Sequence, residues 1–222
     1  ADPEELAQVE GLTPGQAALL ADKSLSRADR ILADCARGDM FLLTMQDAAY
    51  PARLRDIFDP PVLLYGKGSL PLFDEEAAIA VVGTRSCTPY GLRCAHRMGY
   101  ELARQGAVVV SGMAKGIDGA AMRGALQAGG FTAAVLGGGV DVVYPAENRR
   151  LYEDIAATGV LLSEYPPGTE PLPGHFPVRN RIISGLSLAA LVVEAPVRSG
   201  ALITAHAALD QGRDVFAVPG PI

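Results

Sequence analysis

The stretch Ile79 to Gly91, IAVVGTRSCTPYG, constrains the fold more than any other part of the chain. Four apolar residues, Ile79 to Val82, end in Gly83. A polar turn follows, and a long helical pattern begins near Tyr90. A buried strand that feeds a helix through a glycine turn is half of a βαβ unit. In an open parallel sheet that turn lies at the carboxyl end of the strand, where ligands bind. Arg85 stands in the turn, as a candidate partner for a phosphate.

The same alternation continues downstream. Strands are predicted at Ala107–Val110, Thr132–Leu136, Val160–Leu162, Leu188–Val193 and Val215–Val218. Helices are predicted to about Gln105, over Ile117–Ala128 and Glu147–Ala157, near Arg179–Leu186, and over Leu202–Gln211. The strands are near-continuous apolar runs, as expected where helices cover both faces of a sheet. Right-handed crossovers then give an α/β fold, a doubly wound and mostly parallel Rossmann-like sheet. Upstream, Phe41–Leu43 and Val62–Tyr65 read as further strands that extend its edge. Residues 1 to about 38 read as short helices, with Thr13 as N-cap and Pro14 at the first helical position. The break before them has the look of a helix-hairpin-helix or SAM-like fragment, set against the plainer reading of a small helical packing module.

Composition narrows the function classes. The 222 residues suffice for one full domain and a small second one. Glycine at 25 and proline at 16 punctuate apolar runs and form no low-complexity tract, which points to many tight loops. No apolar run has transmembrane length, so no membrane partner is expected. Three cysteines, Cys35, Cys87 and Cys94, lack C-x-x-C spacing, and an odd count without a framework suits a reducing cytoplasm. The formal charge is −6, of which residues 1–70 hold −4 and residues 71–222 hold −2. A near-neutral half can still carry a local basic patch, and the patch decides binding.

The strand ends demote the usual ligands of such a sheet. G-x-G-x-x-G is absent after Val82, no acidic residue ends the second strand, and no P-loop pattern occurs. NAD and ATP are therefore not expected, and no cofactor is. Cations take their place. Arg85 follows the first strand, Lys115 the second, and Arg179 and Arg181 follow the fourth. All these turns lie at one rim of a parallel sheet, so the four charges are expected to converge. Phe176 lies beside the last pair and offers a ring face to a base, and Asn180 lies between the two arginines. Cations with an aromatic neighbour are the ingredients of single-strand binding. The competing readings are plain: Arg179 and Arg181 paired with Glu164 or Glu194, Lys115 as a solvated loop residue, Phe176 as core. Asp118 reads as a helix N-terminal residue acting on backbone and dipole, and Asn148 as a brace for the YPAEN turn. His96, His175 and His206 have no metal spacing, so no metal site is expected. Glu164 and Glu194, ending neighbouring strands, leave open an acid–base role on a glycosidic bond.

At these residues the chain also resembles the DNA-processing protein A (DprA, or Smf) family. The resemblance rests on VVGTRSCTPYG, SGMAKGIDGAAMRGAL, LGGGVDVVYPAENRRLY, SEYPPGTEPLPGHFPVRNRIISGLS and VVEAPVRSGALITAHAALDQGRDVFAVPG. It covers about residue 50 to the end. It implies a Rossmann-like domain that binds single-stranded DNA, a homodimer formed through that domain, and delivery of the strand to the RecA recombinase during natural transformation. It implies no catalytic residues. The family's DNA-binding arginine and lysine fall on Arg85 and Lys115, and its FPxRNR element on Phe176, Arg179, Asn180 and Arg181. It further implies that residues 1–38 are the latter part of a helical N-terminal domain, and that residues 39–222 are an extended Rossmann-like domain cut at its C-terminal end. A nucleotide phosphoribohydrolase on the same sheet is the alternative. Those enzymes share PGGxGTxxE, whereas the comparable turn here runs from Arg198 to Ala205 without the acidic residue.

Overall fold

The computed structural model describes residues 3–220. They fall into two compact units, divided between Asp34 and Cys35. The first holds α1 (Pro3–Leu6), α2 (Pro14–Ala21) and most of α3 (Ser26–Arg37), which runs on into the second. Thr13 caps α2 as expected: its hydroxyl accepts from the Gln16 N–H, the Gln16 side chain accepts in return from the Thr13 N–H, and Pro14 opens the helix.

The second unit is built on an eight-stranded sheet. Its elements in chain order are β1 (Phe41–Thr44), α4 (Ala52–Arg55), β2 (Leu63–Gly68), β3 (Ala78–Val82), α5 (Pro89–Arg104), β4 (Val108–Ser111), α6 (Ile117–Gln127), β5 (Thr132–Val135), α7 (Arg149–Thr158), β6 (Val160–Ser163), α8 (His175–Gly185), β7 (Ala189–Val192), α9 (Gly200–Asp210) and β8 (Asp214–Ala217). The spatial order is β1-β2-β6-β5-β4-β3-β7-β8. From β6 to β8 every pairing is parallel, and β1 and β2 add an antiparallel edge on β6. The sheet is therefore α/β and mostly parallel, with a switch point between β3 and β7, where the winding reverses.

The two-residue period of the strands divides the core. Ala78, Ala80 and Val82 point to the face covered by α8 and α9, beside Ile182, Ile183, Leu186 and Ala205. Ile79 and Val81 point to the face covered by α5 and α6. Ala134 and Leu161 meet α7 on that same face. Helices α5 and α6 approach closely because their contact is made of small residues. A Cβ on Gly99 would stand 1.9 Å from the Ala121 carbonyl oxygen, a separation no real carbon tolerates.

Several boundaries differ from expectation by one to four residues, and three of these shifts have a plain local cause. Helix α8 begins at His175, four residues early, because Pro177 sits in its first turn, where proline has no N–H to lose. Residues Ala146–Asn148 form a 3₁₀ turn before α7, which moves the helix start to Arg149. Strand β2 runs from Leu63 to Gly68, past the apolar run, because Lys67 and Gly68 pair with Leu161 and Val160 on β6.

Candidate nucleic-acid interface

The turn after β3 is fixed by the end of β7. The Glu194 carboxylate accepts from the Thr88 N–H at 3.1 Å and from the Thr88 hydroxyl at 2.8 Å. The Glu194 carbonyl accepts from the Thr84 N–H at 2.7 Å. Thr88 in turn caps α5, accepting from the Gly91 N–H at 3.1 Å. Arg85 thus sits in a short, clamped loop directly over the switch point. Glu194 is committed to this brace, far from the acid–base role left open above.

Two adjoining cavities open at this rim. The narrower, about 50 Å³, is lined by Arg85, Lys115, Gly137, Tyr144, Phe176 and Arg179 among others. The wider, about 540 Å³, shares Arg85, Phe176 and Arg179 and extends past Asn180 to Arg198, Ser199, Gly200 and Thr204. Phe176 stands between them. The Arg85 guanidinium lies 5.1 Å from its ring centroid, the Arg179 guanidinium 5.8 Å, and the Tyr144 ring 5.6 Å at a 34° tilt. Both guanidinium distances are within cation–π reach. Gly137 makes the arrangement possible, since a Cβ there would come within 2.9 Å of the Phe176 ring. Its carbonyl accepts from the ring nitrogen Nδ1 of His175 at 2.9 Å, and the Ser163 hydroxyl donates to the Gly138 carbonyl at 2.6 Å. His175 also stacks on Tyr165, with centroids 4.0 Å apart. The glycine loop after β5 is therefore held rigidly against the first turn of α8.

Arg179 is buried at 5 % exposure. Its Nη1 donates to the Gly112 carbonyl at 3.2 Å and to the Val135 carbonyl, and its Nε donates to Asn180 Oδ1 at 3.3 Å. Burial pushes the guanidinium pKa down to about 10; the nearby Asp118 carboxylate opposes this shift and Arg85 adds to it. Arg179 thus keeps its charge at neutral pH. Asp118 is itself buried, and burial raises its pKa despite the attraction of Arg179 and the backbone N–H bonds it accepts. Its carboxylate accepts from the Gly112 N–H at 3.2 Å, fixing the loop after β4 as a helix-start residue does. Asn148 braces the same loop, donating to the Met113 and Ala114 carbonyls at 2.9 and 3.3 Å.

The expected convergence of four cations holds for three. Arg85, Lys115 and Arg179 line the narrow cavity, and Asn180 lines the wide one. Arg181 is not among the residues lining either. Two residues along a helix turn a side chain by about 200°, so Arg181 points away from Arg179 across α8. There it meets Glu164 in a two-pronged pair at 2.8 and 2.9 Å, and Asp59 at 3.1 Å. Burial alone would lower the Arg181 guanidinium pKa, but its bonds to Glu164 and the charges of Glu164 and Asp59 outweigh burial and leave it raised. The pairing reading was the right one for Arg181, and it also occupies Glu164. Lys115 is paired too: its ammonium contacts the exposed Glu147 carboxylate, whose pKa that contact lowers.

Sequence reasoning missed Tyr144 and Arg198 as cavity-lining residues. Both follow strands at the same carboxyl rim, β5 and β7, and that position is the signal that could have found them.

Together these features define a class: a doubly wound α/β domain with a cationic, aromatic-centred cleft at its switch point. Within that class the chain belongs to the DNA recombination-mediator protein A family, whose model matches residues 41–222. A relative, the DNA processing protein DprA of Bacillus subtilis, is 44% identical over 193 residues, covering 87% of this chain and 65% of its own. The X-ray structure of DprA from Streptococcus pneumoniae superposes with a TM-score of 0.83 at 42% identity, over 100% of this chain and 77% of that one. A structure of DNA processing protein A from Helicobacter pylori, described for its single-stranded DNA binding mode, matches with a TM-score of 0.74 at 32% identity over 82% of each chain. The chain spans under two thirds of the length of the first curated relatives it matches. Among the described residues, no helix is long and apolar enough to cross a membrane.

Proposed function

We propose that the chain is a single-stranded DNA-binding recombination mediator that does no covalent chemistry. The observation that supports this most directly is the Phe176 ring flanked by Arg85 and Arg179, with Lys115 at the same rim. A base stacks on or beside the ring while adjacent phosphates meet the cations, which is how single strands are held without sequence readout. The Helicobacter pylori relative's described binding mode supports the same reading. Asn180 serves by holding Arg179 in place. Arg181 belongs to the family's motif, and its contribution here is to fix α8 through Glu164.

On the family resemblance we extend the reading to protection of incoming single strands and loading of RecA in the cytoplasm during natural transformation. A homodimer through the Rossmann-like domain, residues 39–222, would present two clefts and raise avidity through effective concentration. Residues 1–38 are read as a helix-hairpin-helix or SAM-like fragment on resemblance alone. The phosphoribohydrolase alternative finds less support, because Glu164 and Glu194 are both engaged in structural contacts.

The test is a titration with single- and double-stranded oligonucleotides across a range of salt. Tight, salt-dependent binding of single strands by the parent is expected. Arg85→Glu should weaken binding to every sequence and lower the slope of log affinity against log salt by roughly one. Parent-like binding by that variant would place the strand elsewhere, and release of free base from nucleoside monophosphates would favour the enzyme.

A further inference from the structure

The wide cleft has a far wall that the Phe176 pocket does not use. It is the first turn of α9, an eleven-residue helix that starts at the switch point beside Arg198. Ser199 caps it, its hydroxyl accepting from the Ala201 N–H at 3.2 Å. The Gly200 N–H has no protein acceptor among the described residues. Nothing lies within 4 Å of the position a Cβ would take on Gly200, so the backbone there is open to approach.

A helix start alone would say little, but a second feature points the same way. Thr204, one turn further along α9, is 1 % exposed and lines the cleft. Its hydroxyl has no hydrogen-bond partner among the described residues. Buried polar residues ordinarily have their hydrogen bonds satisfied, so the hydroxyl of a residue this buried, on the cleft wall and without a protein partner, is suited to a ligand. Arg198 adds an exposed cation, with no acidic side chain paired to it among the described residues. The wall is also coupled to the first pocket. Asn180 accepts from Arg179 and donates to the Gly200 carbonyl at 3.2 Å, so one amide joins the buried guanidinium to the first residue of α9.

We propose that the N-terminus of α9, with Arg198 and Thr204, is a second phosphate-binding subsite, separate from the pocket at Phe176. Helix starts favour anions through unsatisfied N–H groups and the helix dipole. On the single-strand reading above, on which this rests, the strand crosses the switch point from the Phe176 pocket to α9, with one phosphate at each end of the wide cleft. The shared chemistry is a phosphate group, and the source is either a polynucleotide or a free phosphate ester.

The experiment follows the backbone amide resonances of Gly200 and Ala201 in the whole chain, titrated with inorganic phosphate, thymidine monophosphate and oligothymidylates of increasing length. The subsite predicts shifts at both amides with phosphate. It also predicts a rise in affinity at the oligonucleotide length that first reaches α9. Arg198→Glu should remove that rise, cost the longer strands about tenfold, and lower their salt slope by roughly one, with the shortest strands unaffected. Should oligonucleotides fail to bind while phosphate or the monophosphate still moves Gly200, the subsite stands as one for a free phosphate ester, and the single-strand reading is the part that falls. Should the oligonucleotides bind with no movement at Gly200 and Ala201, and Arg198→Glu bind all lengths as the parent does, the subsite is overturned.

Discussion

The Arg85 guanidinium lies 5.1 Å from the centroid of the Phe176 ring. The two residues are far apart in sequence, one in the turn after β3 and one in the first turn of α8. Their contact joins the positive charge of the cleft to its aromatic platform. Phe176→Leu keeps an apolar group against Gly137 but removes the ring face. It should weaken single-strand binding by about 1–3 kcal/mol across all sequences, the range for loss of one base–aromatic stack. Thermal unfolding of the same variant should change little, and a fluorescence titration beside a melting curve separates the two effects.

Lys115 shares its charge with Glu147, and both side chains are about half exposed or more. Glu147→Gln should therefore strengthen single-strand binding severalfold at low salt, with the gain shrinking as salt rises. The pH dependence has a definite sign. Lys115 holds the Glu147 carboxyl below its ordinary value, so the pair's attraction is present above the ordinary carboxylate pKa and is lost as pH falls through the lowered one. The difference in affinity between parent and Glu147→Gln should vanish at that acid end, as salt titrations at several pH values would reveal.

Arg181 and Glu164 form a pair with side chains only 16% and 29% exposed. Removing one partner leaves the other charge partly buried without its bonds. Arg181→Ala should cost about 1–3 kcal/mol of stability. Its salt slope for single strands should match the parent's, in contrast to Arg85→Glu. A slope reduced by a full unit would show that Arg181 reaches the DNA after all.

The α5–α6 contact depends on Gly99. Gly99→Ala would press a methyl into the Ala121 carbonyl and force the helices apart, at about 1–3 kcal/mol. Calorimetry should show Tm lowered by roughly 3–10 °C, with single-strand affinity at 25 °C nearly unchanged, since neither helix contributes its midpoint to the cleft.

The order of strands and helices could be read from the chain because each strand is a short apolar run ended by glycine or a polar turn. Even the rim could be located, since a parallel sheet places every such turn at one edge. Arg85, Lys115 and Arg179 followed from that rule. Arg181 did not, because the rule assigns a turn to the rim without fixing which way a helical side chain points. The 200° step from Arg179, and the presence of Glu164 on β6 to receive it, are facts of helix phase and strand order.

The sequence by itself determined the repeating βα pattern and the positive character of the strand ends, since both are local: period, punctuation and residue type suffice. Only the tertiary structure decided which cations remain available to a ligand. It paired Lys115 with Glu147 and Arg181 with Glu164, buried Arg179 behind Phe176, and opened the first turn of α9 to the same cleft. Charge pairing depends on distances between residues far apart in the chain, and those distances exist only once the sheet has been wound.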